Sequence, residues 1–230
     1  MIKRNDDHCK MIEYWSKAIL RLMPDAELII HYSNPPMERF RFNPCVGDWA
    51  KAEATSIYTK DGPIFVMDVD SLLIRPFEYT PKDPKIVLSM AASDDCTIFP
   101  GDPRPSLWEI GQRSGLFKPG EKIDVNPQFF WTSINLLPYF NEADDLMHKF
   151  NPPEKPFPDS LHGIGVWSYV WTKLRNEGKA EKFPQPQPVW HCPMPPGNRL
   201  EIFKKFYEYI TNQPIDSPKP VPSEWLNQWT

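Results

Sequence analysis

Long apolar runs are missing from this chain of 230 residues. No stretch is long and apolar enough to cross a bilayer, and no secretory leader opens the sequence, so no membrane span is expected. Concentrated positive charge is missing too. Net charge is −4, pI is near 5.8, and no Lys/Arg stripe stands out, which argues against nucleic acid as the main partner. Cysteine is sparse and scattered at Cys9, Cys45, Cys96 and Cys192, with no C-x-x-C pair. Neither a zinc knuckle nor a disulfide framework follows from that spacing, and a reduced, cytoplasmic setting is expected. There is no internal repeat.

What is abundant is proline, 28 residues, and tryptophan, nine, which imply long shaped loops and flat apolar surfaces suited to a core or to stacking on rings. The length fits one sizeable domain, here expected over residues 1–212, with a Pro-rich arm over 213–230. Residues 9–23 place Ile12, Trp15, Ile19 and Leu22 on one face of a helix that Pro24 ends. Glu27 to Tyr32 reads as a strand, and Asp48 as the N-cap of a helix running through Ile57. Strands are expected at Lys85–Met90, Gln128–Ile134 and Val189–Cys192. Helices are expected within Leu136–Phe150, over Gly163–Leu174 with Gly178 as its stop, and over Leu200–Ile210. Strands alternating with helices give an α/β class.

The most informative stretch is DGPIFVMDVDSLLIRPF, residues 61–77. Two short apolar runs, Ile64–Met67 and Leu72–Ile74, flank Asp68 and Asp70. Ionised carboxylates resist desolvation, so a pair between buried runs belongs at a strand end or on a cation. Residues i and i+2 of a strand point the same way, so Asp68 and Asp70 can address one ion, and Mg²⁺ or Mn²⁺ prefers such hard oxygens. The bare pair also fits two acids on a solvated turn.

The order of motifs resembles the GT-A class of nucleotide-sugar glycosyltransferases, most closely the glycogenin-like retaining type. Trp49-Ala50-Lys51 stands before the D-x-D strand, Ser89-Met90-Ala91-Ala92-Ser93-Asp94 matches a Ser-Ala-Ala-Pro-Asp element, and Val125-Asn126-Pro127-Gln128-Phe129 loosely matches Phe-Asn-Ser-Gly-Val. His191, with Arg199 nearby, stands where the family has a late His-x-x-Gly-x-x-Lys element. Pro127-Gln128 replaces the family's Ser-Gly, and no Gly-Asp-Gln opens the later helix; Asp159, or the His162-Gly163-Ile164-Gly165 stretch, stands near that place.

The resemblance implies a GT-A-like central mixed sheet flanked by helices. It implies a metal-dependent, retaining transfer of a sugar from a nucleotide-diphosphate sugar to an acceptor hydroxyl. By the same resemblance, Asp68, Asp70 and His191 hold Mn²⁺ or Mg²⁺, and Lys51, Asp94, Asn126, Gln128 and Arg199 contact the donor. Asp159 is the candidate catalytic acid. Two rival readings stand beside it. One is a phosphatase of the haloacid dehalogenase type, with Asp68 as nucleophile and Asp70 as acid/base, although Leu72 takes the threonine position of that family's motif. The other is a non-catalytic sugar-binding relative.

Overall fold

A computed structural model of the chain describes residues 6–33, 46–76, 83, 87–89, 129–150, 159–182, 188–191 and 199–212. It is a mixed α/β protein. The chain divides into two compact units that interleave in sequence: Met1–Ile29, Met67–Thr80 and Pro184–Thr230 form the first, and Ile30–Val66 with Pro81–Phe183 the second.

In the first unit, α1 (Asp6–Leu22) buries Met11, Trp15, Ala18 and Ile19, a stripe with the helical period, and exposes Glu13 and Lys17 on the opposite side. Cys9, on the same helix, is an exposed free thiol. The helix stops two residues before Pro24, which cannot continue it and keeps the preceding residue out of helical geometry. The second helix of this unit, Arg199–Thr211, is α5 in the order below, and Ile202, Phe203, Phe206 and Ile210 are its buried face. The two helices share a cluster in which Met11 and Ala18 meet Leu72 and that face. Tyr14 and Tyr207 meet as tilted rings with centroids 4.9 Å apart. Arg21 Nη1 donates to the Ile210 carbonyl at 3.2 Å, satisfying an acceptor that the end of α5 leaves open.

Two short strands complete this unit. Of the six strands in chain order, β2 (Ser71–Leu73) and β6 (Val189–His191) pair antiparallel, Ser71 opposite His191, Leu72 opposite Trp190 and Leu73 opposite Val189. The ladder runs on beyond β2, where the Pro188 carbonyl accepts from the amides of Ile74 at 2.7 Å and Arg75 at 3.3 Å.

The second unit holds a four-stranded mixed sheet in the order β1 (Ile64–Met67), β4 (Phe129–Thr132), β3 (Val87–Ser89), β5 (Ala180–Lys182), the last residue of β1 being the boundary. β3 runs antiparallel to β4 and parallel to β5. Three helices belong here: α2 (Val46–Tyr58), α3 (Leu137–Phe150) and α4 (Asp159–Asn176). The core is aromatic. Trp167 on α4 is 1% exposed and packs against Phe130 of β4 and Phe140 of α3, with centroids at 5.3 and 5.5 Å, and Trp49 of α2 meets Phe140 edge-on. Trp167, Val170, Trp171 and Leu174 form the inward stripe of α4, as their spacing predicts.

At the end of α4, Gly178 takes φ +68°, its amide bonds the Arg175 carbonyl, and the Lys179 amide bonds that of Leu174, a Schellman closure. α2 and α3 are joined through one buried hydroxyl. Thr55 Oγ1 donates to the Ala52 carbonyl and accepts the Leu136 amide, both at 2.7 Å.

Three expectations need correction. Residues 27–32 form no strand: Ile29, Ile30 and Tyr32 are 42–64% exposed and no ladder partner lies alongside among the described residues. Asp48 does not cap α2; it lies inside the first turn, where its charge faces the positive end of the helix dipole. The strand expected over Lys85–Met90 is observed at Val87–Ser89, the part of it that lies among the described residues. Asp68 follows the end of β1 and Asp70 precedes the start of β2, at strand ends as expected, but a turn divides the two strands, so the i, i+2 geometry of one continuous strand does not hold. The arm expected over 213–230 lies outside the described residues. Among the described residues no helix is long and apolar enough to cross a membrane.

Candidate metal centre

The turn that carries the two aspartates is built by its flanks. β1 is a partly buried apolar strand and β2 is buried at every residue, so the acidic stretch between them, Asp68-Val69-Asp70, breaks the two apolar runs as a turn. The Ser71 amide donates to the Asp68 carbonyl at 3.0 Å and closes a four-residue turn. Both carboxylates are half-buried, and Asp70 Oδ1 is withdrawn from solvent. This is neither the strand geometry expected from the i, i+2 spacing nor a fully solvated turn.

The β2–β6 ladder adds the third residue. Because Ser71 pairs with His191, the histidine backbone stands opposite the residue that follows Asp70. Directly opposed residues of an antiparallel pair have Cα atoms about 4.5–5.5 Å apart. Asp68, Asp70 and His191 therefore belong to one end of one two-stranded ladder, and Arg199 opens α5 of the same unit eight residues on. Two carboxylates and an imidazole are a donor set that suits Mn²⁺ or Mg²⁺, with the nitrogen favouring Mn²⁺. Among the residues whose side chains are described, no group of three His, Cys, Asp or Glu is placed to hold a metal ion. The side chains of His191, Arg199 and Asp159 lie outside that set.

The other sequence-derived site residues fall elsewhere. Lys51 is on α2 in the second unit, 10% exposed, with Nζ 3.5 Å from Asp48 Oδ1, so it is a shielded lysine facing a carboxylate rather than a solvated one. Asp159 is the first residue of α4, also in the second unit. Asp94, Asn126 and Gln128 lie outside the described residues.

One constellation had no sequence signal. His31 Nε2 lies 2.8 Å from Glu53 Oε2, and the Tyr58 hydroxyl lies 3.5 Å from His31 Nδ1, with the two rings edge-on at 5.8 Å. Burial works to raise the Glu53 carboxyl, but the Ser33 hydroxyl, His31 and the Trp49 ring N–H outweigh it and hold the group below its ordinary range. The 27–32 stretch reads as a strand, and a separation of five on a helix marks no pair, so nothing local joins these residues. No protein-family model matches the chain, and neither a curated protein nor a solved structure is significantly similar to it.

Proposed function

We propose that this protein is a metal-dependent glycosyltransferase that moves a sugar from a nucleotide-diphosphate sugar to an acceptor hydroxyl. The observation that carries the reading is the register of β2 and β6, which brings His191, the residue implied as third ligand, opposite Ser71 beside the Asp68–Asp70 turn. The two residues are 120 positions apart, and no feature of the D-x-D stretch itself demands that pairing. The mixed α/β architecture is compatible with a GT-A-like fold.

In this reading the Asp68 and Asp70 carboxylates and the His191 imidazole hold Mn²⁺ or Mg²⁺. The ion, when bound, neutralises charge developing on the departing nucleoside diphosphate. Arg199 supplies a planar donor to the same phosphates from the first position of α5, where the helix dipole also favours an anion. Half-burial of the aspartates strengthens their hold on a cation, since charges in a low-dielectric setting interact more strongly. Donor-contact roles for Lys51, Asp94, Asn126 and Gln128, the role of Asp159 as catalytic acid and retention of configuration rest on the sequence resemblance alone.

The test is incubation with a panel of nucleotide sugars in Mn²⁺, following nucleoside diphosphate release. Metal-dependent release that disappears in Asp68→Asn and Asp70→Asn supports the reading. Phosphate release from phosphomonoesters in its place moves the assignment to the phosphatase class, and sugar binding without either activity moves it to a binding module.

A further inference from the structure

His31, Glu53 and Tyr58 all lie in the second unit, and the metal reading leaves them unused. The two contacts of the imidazole use its two different nitrogens: Nε2 faces Glu53 Oε2 at 2.8 Å, and Nδ1 faces the Tyr58 hydroxyl at 3.5 Å. An ionised carboxylate only accepts, so the first contact requires the proton on Nε2. In the neutral ring the lone pair then sits on Nδ1, toward the Tyr58 oxygen. The rings meet at 86°, so they are not stacked. A hydroxyl facing a base, with that base oriented by an acid on its far side, is the arrangement that turns a hydroxyl into a nucleophile on unrelated folds. The hydroxyl–base contact in such sites is commonly loose until substrate arrives. The side chains of His31 and Glu53 are 17% and 29% exposed and Tyr58 is half-buried, so the group is sheltered yet within reach of a small molecule. The depressed Glu53 carboxyl keeps the orienting charge in place at neutral pH.

We propose that Tyr58 is a nucleophilic tyrosine, activated by His31 and oriented by Glu53, that takes an acyl group from activated carboxylic esters. The phenol oxygen attacks the ester carbonyl carbon, so a C–O bond to Tyr58 forms and the bond to the leaving alkoxide or phenolate breaks. The phenolic proton passes to His31 Nδ1, the Glu53 carboxylate faces the resulting imidazolium, and His31 returns the proton to the leaving group or to water. No oxidant or further reactant is needed. This site is independent of the Asp68–Asp70 reading.

The test uses the full chain and 4-nitrophenyl acetate, with peptide mass mapping of acetylation over time at each of the eight tyrosines. General-base assistance is worth roughly 10²–10⁴-fold, so Tyr58 is expected to acetylate at least about tenfold faster than Tyr32. Tyr32, at 64% exposed, is the more accessible phenol. His31→Gln is expected to bring Tyr58 down to the Tyr32 rate, and Glu53→Gln to slow it and shift its pH profile. Tyr58→Phe should remove the fast hydroxylamine-labile adduct. Far-UV circular dichroism checks that each variant is folded. Equal rates for Tyr58 and Tyr32 in the unmodified chain overturn the proposal without any variant, as does a folded His31→Gln that labels Tyr58 as fast as the parent; either result reduces the cluster to a clasp on α2.

Discussion

Ser71 and His191 are backbone partners across the antiparallel β2–β6 ladder. That pairing turns the Asp68–Asp70 turn from a local feature into one end of a non-local assembly. The backbone of His191 is thereby held opposite the residue that follows Asp70, 120 positions away in the chain.

The buried Thr55 hydroxyl is expected to matter more than its size suggests. Thr55→Val keeps the shape but strips the Leu136 amide of its acceptor at the entry to α3. A buried donor left unsatisfied costs about 1–3 kcal/mol. Urea unfolding should show a lower midpoint with unchanged slope.

Gly178 closes α4 at φ +68°, and a Cβ added there meets nothing within 4 Å. The whole effect of Gly178→Ala is therefore backbone strain, expected at about 1–2 kcal/mol. Gly178→Asn, which tolerates that region better, should lose less in the same thermal melt.

Glu142 gives the pH dependence. The Lys173 ammonium, bonded to it at 2.6–2.7 Å, is the largest influence, burial opposes it, and the Tyr169 hydroxyl assists, so the carboxyl is held below its ordinary 4.5. A carboxyl depressed in the folded state stabilises above its unfolded value, and that contribution disappears as pH falls through the folded value. Glu142→Gln should therefore be less stable than the parent near neutral pH and converge with it well below pH 4.5. The difference should be small, because Glu142 is 45% exposed and the pair is screened by water. Urea midpoints measured from pH 7 to pH 3 read this directly.

The legibility of the chain follows the range of the forces involved. The inward face of α4 was readable because Trp167, Val170, Trp171 and Leu174 repeat with the helical period, which is a local property. Gly178 as its stop was readable for the same reason. Residues 27–32 misled because an apolar run says nothing about whether a neighbouring strand exists to take its hydrogen bonds. The aspartate pair is legible as a pair, but D-V-D-S between two apolar runs fits a strand end and a turn alike, and the Ser71–Asp68 backbone bond that decides for a turn leaves no mark in the spacing. The opposition of Ser71 and His191, and the bridge from His31 to Glu53 and Tyr58, depend on long-range packing that spacing does not encode.

The proposed transfer depends on a cation site made by Asp68, Asp70 and His191. Isothermal titration of the full chain with Mn²⁺ in the presence of a nucleoside diphosphate tests it most directly. The expected result is one site in the parent protein, abolished by Asp70→Asn and weakened at least about tenfold by His191→Gln, with both variants folded. A His191→Gln variant that binds Mn²⁺ as tightly as the parent would contradict the assembly of β6 with the aspartate turn as a metal centre.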